Sequence, residues 1–117
     1  SLRWRIQGRE NMGRYALEIC AKRQGDMSEI KALSFLLDSG FDVFRNESST
    51  GPVDIITLDI TRKKVILVDV KTQPPAKTTG IYRIPNKTKI QQNLDVQFLF
   101  YDKNTDTFTW EKDIVNE

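Results

Sequence analysis

Three residues near the middle of the chain combine types and spacing that could do chemistry: Asp54, Asp69 and Lys71. They lie in "GPVDIITLDITRKKVILVDVKT", residues 51–72, which reads as two apolar strands around a short basic turn. If Arg62-Lys63 form a two-residue turn, Thr61 faces Lys64, Thr57 faces Val68 and Asp54 faces Lys71. Paired residues share a face, and so do residues two apart on one strand. Both aspartates and the lysine are therefore expected on one face, at one end of the hairpin. A one-residue change in loop length would send Asp54 to the other face, unless a bulge near Pro52 corrects it.

Two carboxylates brought together in a partly buried place repel. They must take up a proton or bind a cation. Oxygen ligands with room for water suit Mg²⁺, with Mn²⁺ as its substitute. Such an ion grips a phosphate oxygen and lowers the pKa of a bound water. Lys71 then has two available roles. Neutral, it takes a proton from that water; charged, it steadies negative charge growing on phosphorus. The structural alternative is an internal ion pair of Lys71 with Asp54 or Asp69. That pairing leaves two acids for one base, and the second acid still needs a partner.

The absence of histidine narrows the chemistry further. Ser-His-Asp and Cys-His catalysis are excluded. With a single cysteine, Cys20, the chain also lacks the usual ligands of an ordinary zinc site. One cysteine forms no internal disulfide and fits a reducing, intracellular setting, so a cytoplasmic location is expected. No apolar run is long enough to span a membrane, and no signal-peptide pattern opens the chain.

The 117 residues suffice for one domain with a modest core, taken as 1–117 with a basic helical arm over 1–24. Helices are expected over 10–23, ended by Gly25, and over about 27–39, ended by Gly40. Met27, Ile30, Leu33, Leu36 and Leu37 are expected to line one face of the second. "FDVFR", 41–45, is a short strand, and "NESSTGP", 46–52, is a loop. The two apolar strands are near-continuous, which predicts burial on both faces. Pro74 and Pro75 exclude sheet from 72–80, "IYRIP" is a fourth strand, and "NKTKIQQN" is a helix turn or a loop. "VQFLFYD" and "TFTWEK" flank the turn signal "KNTD" as a closing hairpin. The expected class is α/β or α+β, with a central mixed β-sheet flanked by helices.

"GPVD" followed by "VDVK" resembles the PD-(D/E)xK nuclease superfamily, in which a Pro-Asp enters one strand and Asp/Glu-x-Lys lies on the next. The resemblance runs from about Gly25 to Tyr101. "GDMSEIKALSFLLDSGFDVFRNESSTGPVDII" is similar to the opening of archaeal Holliday-junction resolvases and of small intron-encoded homing endonucleases of that superfamily. One departure is Val53, which separates Pro52 from Asp54 where the family pattern is contiguous.

The resemblance implies a restriction-endonuclease-like core, Asp54 and Asp69 as metal ligands and Lys71 as the catalytic lysine. Glu29 matches the family's helix glutamate, a further catalytic and metal-site residue. "DMSE" also reads as a capping box with Asp26 at the N-cap, so both readings of Glu29 stand. Gln73 extends the motif to "DVKTQ", and Ser48 and Ser49 are candidates to touch phosphate or simply to solvate the loop.

The net charge of +2 conceals blocks: residues 62–89 hold eight bases against Asp69 alone. Arg14, Arg23, Lys77, Arg83, Lys87 and Lys89 are the expected phosphate contacts if the partner is DNA. Relatives of the homing type assemble several subunits, which implies a homodimer or larger homo-oligomer. The expectation is a Mg²⁺-dependent endodeoxyribonuclease. A junction resolvase, an RNA-processing nuclease and a catalytically silent nucleic-acid-binding module are its alternatives.

Overall fold

The computed structural model describes residues 14–114 apart from Ser49, with side chains from Cys20 onward. One long helix, α1 (Arg14–Asp38), precedes β1 (Asp42–Arg45), β2 (Ile55–Asp59) and β3 (Lys64–Lys71). Then come β4 (Ala76–Thr78), β5 (Ile81–Arg83), the short helix α2 (Lys89–Asn93), β6 (Gln97–Asp102) and β7 (Thr107–Trp110). A 3₁₀ turn, Glu111–Asp113, closes the described chain.

Five strands form one sheet in the order β1-β2-β3-β6-β7, while β4 and β5 make a separate ribbon. β3 runs parallel to β6, and the other neighbours are antiparallel. This is the mixed sheet with helices expected of an α+β domain. Ala32 and Leu36 of α1 meet Ile55, Val68 and Leu99 of the sheet in the core. Opposite that end, Lys31 donates to Tyr101 Oη at 2.9 Å and to Asp106 at 3.2 Å, fastening α1 to the β6–β7 hairpin.

The helix departs from expectation in two ways. It does not stop at Gly25; residues 14–38 are continuous. Extending an existing helix through one glycine costs about 1 kcal/mol, less than nucleating a second helix at Asp26. The expected arm therefore lies outside the described residues over 1–13, and residues 14–24 are the first half of α1. The buried stripe has also rotated. Ser28, Ala32 and Leu36 are buried, whereas Met27, Ile30 and Leu37 are exposed. Small side chains at Ser28 and Ala32 let the helix lie close to the sheet. Ser28 satisfies its hydroxyl by donating to the Gln24 carbonyl at 3.0 Å.

Gly25→Ala separates the two descriptions of this helix. A Cβ at Gly25 meets nothing within 4 Å, and its φ is not positive. The substitution should add roughly 1 kcal/mol of stability, seen as a rise of a few degrees in melting temperature. A fall instead would mean that Gly25 ends a helix in a left-handed conformation.

The sheet differs from expectation at one face. On the side away from α1, Phe44, Ile56 and Val65 are exposed, so among the described residues β1–β3 are covered on one face only. One long helix and a five-residue helix cannot cover both faces of five strands. The prolines also act differently. Pro74 and Pro75 precede β4 rather than abolishing it, and "IYR" pairs with "AKT" instead of joining the main sheet. Thr79 and Gly80 have φ of 54° and 80°, the pair of positive values that a tight two-residue hairpin turn demands.

Candidate active site

The hairpin turn spans four residues, 60–63, with Asp59 paired to Lys64 and Thr57 to Ile66. A two-residue turn over Arg62-Lys63 would need positive φ at Arg62, its first central residue, and Arg62 does not have it. Here only Lys63 has it, at 55°, while Asp59 Oδ1 accepts the Arg62 N–H. The register is displaced by two residues from expectation, and an even displacement preserves the face.

A further offset sits at Asp54. Val68 is in register with Ile55, yet its carbonyl accepts the Asp54 N–H at 2.9 Å. Two residues thus oppose one, as in a β-bulge, which re-aims the side chain. The Asp54 carbonyl in turn accepts the Asn46 N–H at 2.9 Å. The carboxylate closes the gap in the ladder: Oδ2 accepts the Val70 N–H at 2.8 Å.

Asp54 and Asp69 stand close enough for each carboxyl to act on the other. Burial, followed by the Asp69 contact, pushes the Asp54 carboxyl up to about 7; the Glu29 charge adds to the rise and the Val70 N–H opposes it. Lys71 Nζ lies 3.3 Å from Asp69 Oδ2 and 4.8 Å from the centre of the Phe98 ring. The Asp69 side chain is 14% exposed and that of Lys71 36%. The expected convergence of Asp54, Asp69 and Lys71 is therefore present.

These carboxylates open onto a cleft of about 700 Å³ between α1, the 46–54 loop and the ends of β2 and β3. Asp26, Glu29, Glu47, Asp54 and Asp69 line it, against Lys22 and Arg45. Glu29 is in the middle of α1, so its capping-box reading falls. It faces the same cleft as the aspartates. Among the described residues no three or more carboxylate, histidine or cysteine side chains stand close enough to form a metal cage. Two aspartates nonetheless fit Mg²⁺, which is commonly held by one or two carboxylates, with water and substrate phosphate completing its shell. The raised Asp54 carboxyl marks a place where positive charge is missing.

The other expected residues are dispersed. Arg23, Gln73, Lys77, Arg83 and Lys89 are exposed. Lys87 is committed elsewhere: its ammonium meets Glu111 at 2.7 Å, and its side chain is 19% exposed. Ser48 lines the cleft, Ser49 lies outside the described residues, and so does the side chain of Arg14. Three residues were missed. Arg45 lines the cleft. Asn46 orders the loop before Asp54, donating to the Val53 carbonyl at 2.8 Å and accepting the Ser48 N–H at 2.8 Å. That two-residue reach is an Asx turn, legible in "NES". Gln91 donates to Asp69 Oδ2 at 2.8 Å. The signal for its helix was the capping box "TKIQ", with Thr88 at the N-cap.

The raised Asp54 carboxyl makes stability depend on pH. An unfolded chain ionises this group near its ordinary value of 3.8, so the folded protein holds an extra proton between there and about 7. Its contribution is complete below the ordinary value and is lost as pH rises through 7. In EDTA, denaturant titrations should show the wild type losing stability relative to Asp54→Asn as pH rises from 3.8 to about 7. Parallel curves for the two proteins would contradict the raised Asp54 carboxyl.

Together, sheet and helices make a mixed α+β fold compatible with a nuclease-like core. Among solved structures it is similar to a bacterial homing endonuclease, I-Ssp6803I, with a TM-score of 0.55 at 17% sequence identity. The match covers 76% of this chain and 66% of the endonuclease, slightly under two thirds of its length. No family model matches the sequence, and no curated relative was found by sequence. At that identity the likeness establishes the fold. No helix among the described residues is long and apolar enough to cross a membrane.

Proposed function

We propose that this protein is a metal-dependent endonuclease of the PD-(D/E)xK type that hydrolyses phosphodiester bonds in DNA. The observation that carries the reading is the meeting of Asp54 and Asp69 at one cleft, with the Lys71 ammonium 3.3 Å from Asp69. The similarity to a homing endonuclease supports DNA as the substrate.

Asp54 and Asp69 would hold Mg²⁺ or Mn²⁺, with Glu29 reaching the ion through water. When bound, the ion supplies Lewis acidity to a phosphoryl oxygen and acidifies water. The chain's own groups do the rest. To serve as a ligand, the raised Asp54 carboxyl would have to be ionised. Water adds to phosphorus and its proton passes to solvent, while the ester P–O bond on the far side breaks and the departing oxygen takes a proton from solvent. Lys71 stands where negative charge grows on the phosphoryl oxygens. The cleft is acidic as folded, so a polyanion enters it only once a cation offsets that charge.

Lys22 at the cleft, and exposed Arg23 of α1, Lys89 of α2, and Lys77 and Arg83 of the β4–β5 ribbon beyond it, are the proposed phosphate contacts. Ala76 follows Lys71 by five residues, so the ribbon starts within about 17 Å of the lysine. A two-stranded ribbon has the width to enter a major groove. Each chain brings one aspartate pair and a duplex has two strands, which favours a homodimer or larger assembly. A monomer by analytical ultracentrifugation on cleaved duplex would remove that part.

The test is cleavage of plasmid, linear duplex, four-way junction and single-stranded RNA, with Mg²⁺ and with EDTA. Mg²⁺-dependent cutting of DNA supports the proposal. Selective cutting of junctions or of RNA would move it to those substrates. Binding without cutting of any would make the chain a silent nucleic-acid-binding module.

A further inference from the structure

We infer that Gln91 is a positioning residue that clamps the two aspartates into register, an inference that rests on the proposed cation site. Its side chain is 7% exposed and fully engaged. Nε2 donates to Asp69 Oδ2 at 2.8 Å and to the Pro52 carbonyl at 3.0 Å, while Oε1 accepts the Thr88 N–H at 3.1 Å. Pro52 is two residues before Asp54, so one amide group touches both limbs of the site. The amide has one workable orientation. Reversed, its oxygen would face a carboxylate and a carbonyl, and Thr88 would lose its acceptor.

The consequence is electrostatic as well as geometric. Gln91 and Lys71 both engage Asp69 Oδ2. That leaves the other Asp69 oxygen for a cation and fixes the direction in which it is offered. A neutral donor achieves this without adding a second positive charge that would compete with the ion. Groups that orient a ligand in this way commonly set cation affinity. Gln91 also belongs to the α2 capping box, so its structural role must be separated from its positioning role.

Thr88→Ala provides that separation, because it breaks the capping box without touching Asp69. Mn²⁺ binding, measured by calorimetry and electron paramagnetic resonance on the DNA-free protein, is the readout, with melting temperature alongside. Gln91→Met removes the donors at nearly constant volume. Gln91→Asn keeps the amide but cannot span both acceptors, and it serves if the Met variant fails to fold. Both are expected to bind Mn²⁺ about 10- to 100-fold more weakly than wild type. Thr88→Ala should melt lower and bind as wild type does. Gln91 variants that bind within twofold of wild type, or that match Thr88→Ala, overturn the inference while the nuclease proposal stands. A folded wild type that neither binds Mn²⁺ nor cuts DNA sinks both.

Discussion

Asp69→Asn is expected to lower DNA cleavage by on the order of 10³-fold or more while leaving the protein folded. Electrostatic stabilisers alone are commonly worth about 10²–10³ in rate. Loss of this carboxylate also removes half of the pair that holds the ion. Asn is nearly isosteric, and its carbonyl can still accept from Gln91 and Lys71, so the local hydrogen bonds survive. The charge does not. Without it Asp54 loses a large part of what raises its carboxyl, and the repulsion in the folded state falls. The variant should therefore be inactive and, in EDTA at pH 8, at least as stable as wild type. An Asp69 that served only as the ion-pair partner of Lys71 would give the opposite pattern: lower stability and unchanged cleavage.

Lys71→Met should produce the second-largest loss, about 10²–10³-fold, falling on kcat rather than on KM. Methionine keeps the unbranched apolar stem and removes the ammonium that lies over the Phe98 ring. A charge that acts on the transition state lowers the turnover of bound DNA when it is deleted. A lysine that only gripped a phosphate would instead raise KM and leave kcat alone. Single-turnover cleavage at saturating DNA distinguishes these. An unchanged rate constant would remove Lys71 from the chemistry and leave it a binding group.

Local patterns carried the aspartates and the lysine. Alternation along two strands put Asp69 and Lys71 on one face, and this survived a wrong turn length because the displacement was two residues. Asp54 was less secure. Its position depends on the one-residue offset against Val68, held by the Asn46, Val68 and Val70 main chain, and no strand periodicity encodes that. The continuous helix was illegible for another reason. Gly25 is a good stop by type, but burial of Ser28, Ala32 and Leu36 on the sheet favours a single helix. Serine and alanine carry little hydropathy, so the buried stripe looked polar.

Gln91 shows the limit most clearly. It lies 22 positions from Asp69 in sequence and is brought there by the parallel pairing of β3 with β6, which α2 precedes. A capping box in "TKIQ" could have revealed the helix. Nothing local could have revealed the carboxylate at its end. Lys87 illustrates the converse: a basic residue in a basic block, spent on Glu111.

The most direct measurement of the central claim is anomalous diffraction from crystals grown with Mn²⁺. The account predicts a peak between Asp54 and Asp69, about 2.0–2.2 Å from an oxygen of each. A cleft with no Mn²⁺ between those carboxylates, in protein that cuts DNA under the same conditions, would contradict it.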